Sequence, residues 1–232
     1  MNAHWIDIST ARGETFSGYL SLPPTGRGPG IVLIQEIWGV NEHIRALADQ
    51  YALDGYVVLA PDLFWRLERR VDLAYDEAGS ARARQLLQTV DGAQAAADVA
   101  AAVGVLRARP EVTGRVATLG YCFGGQMAFR AAALAQADAA VCYYGGGMTG
   151  PEERSRQPLC PVMAHFGRQD HFIPVDTVLA FDQVQPQAQV FVYDADHGFN
   201  CDQRASFDQI SAIQAKDRTL LFFDQHLALP LP

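Results

Sequence analysis

Short aliphatic runs recur along this chain, and most are followed by a segment of helical period. Residues 31–34 read Ile-Val-Leu-Ile, 116–119 read Val-Ala-Thr-Leu, and 162–166 begin Val-Met-Ala. Runs at 55–60, 139–144 and Gln189–Tyr193 have the same character, and an earlier one spans Thr15–Leu22. Continuous apolar runs of this length predict strands buried on both faces. Between them, apolar residues fall at helical spacing: Ile44, Leu47 and Tyr51 in 43–53 after an Asn41 N-cap, and Ala83, Leu86, Leu87 and Val90 in 82–90. The Ala-rich stretch 93–107 predicts a helix able to lie close against a sheet, and further helices are predicted over 126–135, Val175–Val184 and 205–226. The last carries Phe207, Ile210, Ile213, Leu220 and Phe223. Residues 66–80 and 151–158 are polar, without a firm period. Strands alternating with helices predict an α/β fold with a mostly parallel central sheet covered on both faces. Right-handed crossovers then put the strand C-terminal ends on one edge, outside which ligands bind in such sheets.

Composition narrows the class. The 232 residues suit one α/β domain over 1–232, and about half of them are apolar. A net charge of -8, dispersed along the chain, argues against nucleic acid or an anionic membrane as partner. No apolar run approaches the length of a membrane span, and residues 1–7 lack the apolar core of a signal peptide. The four cysteines show no C-x-x-C spacing, so the expected location is the reducing cytoplasm. A monomer is expected, with a loose tail over 229–232.

The chemistry gathers at strand ends. Gly120-Tyr121-Cys122-Phe123-Gly124 follows the 116–119 run directly and precedes a helical segment. That is the G-x-C-x-G form of the nucleophile elbow, in the strand–turn–helix context the motif requires. Asp170 and His197 follow the next strands, giving the order nucleophile, acid, histidine. A thiol is mostly protonated at neutral pH, so a nucleophilic Cys122 needs a base; His197 takes its proton and Asp170 holds the imidazole. Of six histidines, only His197 combines a strand end with a position after both partners. Two backbone N–H groups should form the oxyanion hole: that of Phe123, after the nucleophile, and that of Ile37, after the 31–34 strand. Glu36 beside it is unusual, because a carboxylate near a thiolate opposes ionisation. It is either a plain turn residue or a group that contacts the resting thiol and must be displaced. Taken singly, each residue also has a bland reading, as a packed cysteine or a solvated turn Asp or His.

The chain resembles the dienelactone hydrolase (carboxymethylenebutenolidase) family over nearly its whole length. The motifs that carry the resemblance are Gln35-Glu36-Ile37-Trp38-Gly39-Val40-Asn41, Ala60-Pro61-Asp62-Leu63, the elbow with Gly125, Tyr143-Tyr144-Gly145, Gly167-Arg168-Gln169-Asp170-His171-Phe172-Ile173-Pro174 and His197-Gly198-Phe199. It implies an α/β-hydrolase fold without a separate lid domain, opening small lactones or esters through Cys122, His197 and Asp170, with no metal or organic cofactor. It further implies that Glu36 holds the resting thiol and swings aside when substrate binds. The family's dienelactone-cleaving members hold a substrate carboxylate with two arginines. One comes from the helix over 82–90, where Arg82, at the edge of the face marked by Leu86, is the expected residue rather than Arg84. The other lies four residues after the histidine, where this chain has Cys201, with Arg204 the nearest substitute. The reading from a different class is a non-catalytic, redox-responsive protein in which Cys122 is oxidised instead of turning over.

Overall fold

The computed structural model describes residues 2–134 and 136–228. The tail expected to be loose, 229–232, lies outside them. Among the described residues, eight strands form one sheet in the order β1-β2-β4-β3-β5-β6-β7-β8. The strands are β1 (Asn2–Ser9), β2 (Thr15–Leu22), β3 (Gly28–Ile34), β4 (Val57–Pro61), β5 (Val112–Tyr121), β6 (Ala139–Tyr143), β7 (Val162–Gly167) and β8 (Gln189–Tyr193). From β4 to β8 every pairing is parallel, and β1 and β2 add an antiparallel edge. Strand β1 escapes the sequence pattern because it is an edge strand with only Ile8 fully buried, so it lacks an aliphatic run.

The helices are α1 (Glu42–Leu53), α2 (Glu77–Thr89), α3 (Gly92–Arg107), α4 (Phe123–Ala133), α5 (Pro151–Arg154), α6 (Val175–Val184) and α7 (Gln209–Leu227). Helix α1 starts where Asn41 accepts a hydrogen bond from the Ile44 N–H at 3.2 Å, and Asp91 caps α3 in the same way. The Ala-rich α3 buries Ala95, Val99, Ala102 and Leu106, small and large residues alternating against the sheet. No helix among the described residues is long and apolar enough to cross a membrane.

Two helices depart from the sequence pattern. Helix α2 begins at Glu77, after an Asp76 cap whose carboxylate accepts the Gly79 N–H at 2.7 Å, inside the stretch that shows no period. The earlier start turns the helix: Gly79, Ala83 and Leu86 face the core, whereas Leu87 is 37% exposed. Helix α7 begins later than expected, after an Asp208 cap. Phe207, Ile210 and Ile213 are exposed, and Ala215, Thr219, Phe222, Phe223 and Leu227 are the buried face. The polar segment 151–158 contains the short helix α5.

Candidate active site

Cys122 stands between β5 and α4 with φ 55° and ψ -115°, outside the regions an L-residue prefers. Its surroundings hold it there. Its N–H donates to the Tyr143 carbonyl (3.0 Å), and its own carbonyl accepts from Gly125 (3.0 Å) and Gly146 (3.1 Å). A Cβ at Gly120 would run into the Gly124 carbonyl, and one at Gly124 into the carbonyls of Ile34 and Gln35. Both elbow glycines are therefore required by the close approach of β3, β5 and α4. The Phe123 N–H is the first of α4 and has no acceptor within the helix.

Asp170 follows β7 with a side chain 0% exposed. Its Oδ1 accepts the N–H groups of Phe172 (2.7 Å) and Ile173 (3.1 Å), which fixes the turn, and its Oδ2 meets His197 Nδ1 at 2.7 Å. His197 follows β8 and is packed by the rings of Tyr144 and Phe172, centroids 5.1 and 5.3 Å away. Burial alone would push the imidazole toward its neutral form. The hydrogen bond to Asp170 and the neighbouring Cys122 sulfur outweigh it and raise the His197 pKa to about 10. The histidine is thus matched to carry a positive charge between a carboxylate and a sulfur.

The third part of the site is an acid–arginine arm. Glu36 is buried after β3; its Oε2 accepts the Tyr75 hydroxyl at 2.7 Å and its Oε1 meets Arg204 Nη1 at 3.3 Å. The Arg204 guanidinium also lies 5.1 Å from the Trp38 ring centre. It crosses Gly198 so closely that a Cβ there would collide with it. Tyr75 keeps its proton, first because of burial and then because of the Glu36 charge. Tyr144 adopts φ 36°, and its buried hydroxyl has no partner among the described residues.

A cavity of about 780 Å³ joins these parts, lined by Ile37, Trp38, Tyr75, Cys122, His197 and Arg204. Asp170 stands behind His197 and Glu36 beneath Arg204, so seven of the eight residues singled out from the sequence gather around one space, with Phe123 at the elbow. Arg82 does not. It points into solvent and pairs with Glu68 at 2.7 Å. The early start of α2 is the reason: Ser80, Arg84 and Leu87 share the face that lines the cavity. Arg84 therefore occupies the place expected of Arg82. Tyr75 and Phe172 also line the cavity and Tyr144 packs against His197, although sequence reasoning assigned them no role; Tyr144 and Phe172 sit inside motifs quoted above, and Tyr75 carries no such signal.

The sequence profile of the dienelactone hydrolase family matches residues 16–227. A carboxymethylenebutenolidase of Pseudomonas sp. (strain P51) is 33% identical over 219 residues, covering 93% of this chain and 92% of that one. One from Pseudomonas putida is 32% identical over 222 residues, covering 94% of each. Among solved structures, a candidate dienelactone hydrolase from Klebsiella pneumoniae superposes with a TM-score of 0.82 at 30% identity, covering 97% of this chain and 100% of the other. With a match over nearly all of the sheet, the elbow and the loops that carry Asp170 and His197, this chain belongs to the dienelactone hydrolase family.

Proposed function

We propose that this member of a lactone- and ester-hydrolase family is a cysteine hydrolase of small esters or lactones, with Cys122 as nucleophile. The observation that carries the proposal is the Asp170–His197 contact at 2.7 Å beside a cysteine held at φ 55° on the wall of one cavity. With Nδ1 engaged by Asp170, Nε2 is the atom that holds the proton taken from the thiol, and the raised pKa of His197 favours that protonated form before substrate arrives. The thiolate adds to the carbonyl carbon, and the oxyanion is received by the N–H groups of Phe123 and Ile37. Collapse breaks the C–O bond, and His197 returns its proton to the leaving oxygen. Water then attacks the thioester with His197 as base, releasing the acid and restoring the thiol. In a lactone, the leaving oxygen stays attached to the acyl chain, and one hydroxy acid is released.

Arg84 and Arg204 on the cavity wall support a substrate with an anionic group. An anion drawn to Arg204 competes with Glu36 for the same guanidinium, which supports Glu36 as the group that moves on binding. The test is steady-state hydrolysis of an activated aryl ester. Cys122→Ala should lose essentially all turnover while remaining folded. Retention of more than a few per cent of wild-type kcat/KM would overturn the assignment, and turnover by the wild type sets aside a purely redox-sensing thiol.

A further inference from the structure

Beside the catalytic cavity lies a smaller one of about 250 Å³, lined by His43, Tyr51, Asp202, Gln203 and Lys216 among others. His43 projects from the first turn of α1, and Asp202 from the loop between β8 and α7. His43 Nδ1 and Asp202 Oδ1 are 3.2 Å apart. Cys201, next in the chain and buried, completes a trio: one imidazole nitrogen, one sulfur and one carboxylate oxygen, all within 4.8 Å of one another. The hydrolytic mechanism uses none of the three.

We propose that His43, Cys201 and Asp202 form a binding site for a thiophilic divalent cation of the zinc class. The donor set is the one such ions take, imidazole nitrogen, thiolate and carboxylate, with ligand bonds of about 2.0–2.3 Å. Bonds of that length in a tetrahedron put donors roughly 3.3–3.8 Å apart, so a spread of at most 4.8 Å closes with small side-chain rotations. The charges suit the ion: one thiolate, one carboxylate and a neutral imidazole neutralise two positive charges. The nearby Lys216 does not oppose entry strongly, because its ammonium is paired with Asp54 at 2.9 Å.

Entry is from the small cavity. Asp202 has a side chain 67% exposed and His43 lies just behind it, so an arriving ion meets these two first and Cys201 last. The ion replaces the proton of Cys201, which leaves to water; a fourth position faces the cavity and takes a water molecule. Two ligands come from the loop that carries His197 and Arg204, and one comes from α1. Occupancy therefore ties that loop to the helix and stabilises the folded chain by mass action.

Co²⁺ is the probe, because its bond to a thiolate gives a charge-transfer absorption in the near ultraviolet. The full-length chain is titrated with Co²⁺, then with Zn²⁺ as competitor. Saturation at a single equivalent is expected in the wild type and in Cys122→Ser, with Zn²⁺ abolishing the band. Cys201→Ser should remove the band. Asp202→Asn, at an exposed position that does not threaten folding, should weaken binding by about tenfold or more, a scale reached even by loss of an outer-shell partner. Absence of the band in the wild type would overturn the proposal, as would a band that survives Cys201→Ser or is lost in Cys122→Ser, which would put the ion on another sulfur.

Discussion

Two buried histidines, His165 on β7 and His197 after β8, hold their protons in opposite ways. His165 is fully buried among hydroxyls: its Nδ1 is 2.9 Å from Tyr193 Oη and its Nε2 3.1 Å from Thr219 Oγ1. Burial first, and then the Arg218 charge, lower its pKa to about 3. His197 is almost as buried, yet its partners are the Asp170 carboxylate and the Cys122 sulfur, and its pKa rises to about 10. Burial has the same sign at both places, so the partner decides which way the imidazole goes. Around His165 neutral hydroxyls complete a structural network; around His197 negative groups prepare an imidazolium. The comparison separates a histidine that packs within β7 from the one after β8 that is proposed to move protons.

The largest expected effect comes from making His197 resemble His165. Asp170→Asn removes the negative partner and leaves a polar one, so the raised pKa of His197 should fall and kcat should drop by roughly 10⁴, as in serine triads. Imidazole titration by NMR together with turnover checks both halves. A variant that loses activity while His197 still titrates near the wild-type value would break the link between charge and catalysis.

Next comes stability against pH, where the two histidines should act in opposite directions. The unfolded chain takes up a proton near pH 6.5 that folded His165 refuses until about pH 3, so stability is lost as pH falls through that window. Folded His197 keeps its proton to about pH 10, so its contribution is full below pH 6.5 and is lost as pH rises toward 10. Each slope is about 1.4 kcal/mol per pH unit for one proton. Denaturant unfolding across pH should show His165→Asn flattening only the acid limb and Asp170→Asn only the alkaline limb. Parallel changes in both limbs would contradict the comparison.

The arginines carry smaller effects. Arg84→Ala should erase a preference of about tenfold for anionic over neutral esters, the worth of one charged hydrogen bond. Arg82→Ala is the smallest change: its exposed pair with Glu68 predicts stability within about 0.5 kcal/mol of wild type and unaltered selectivity. Equal losses on anionic and neutral substrates in Arg84→Ala would place that residue in the scaffold.

Much of this was legible along the chain, for physical reasons that also explain the rest. Continuous aliphatic runs mark strands buried on both faces, so the parallel strands and their order in sequence could be read directly. The elbow is legible because its glycines answer to contacts so close that no side chain fits. Cys122, Asp170 and His197 were read from their strand ends together with the elbow motif and the order nucleophile, acid, histidine. Arg84 was missed because the side a helical residue presents depends on where the helix starts, and the Asp76 cap lies in a polar stretch without a period. The error in α7 has the same origin: Phe207, Ile210 and Ile213 repeat at helical spacing, but Phe207 lies before the Asp208 cap and Ile210 and Ile213 lie on the exposed side. The pairing of Glu36 with Tyr75 and Arg204 joins three separate segments, and local sequence carries no record of such a meeting.

The central claim is that Cys122 carries the acyl group during turnover. Rapid quenching of the wild type with an activated aryl ester, followed by intact-mass measurement and peptide mapping, tests it directly. The account predicts a burst of aryl alcohol matched by one acyl group per chain on the peptide containing Cys122, and neither burst nor adduct in Cys122→Ala. An acyl group on another residue, or steady turnover by Cys122→Ala, would contradict it.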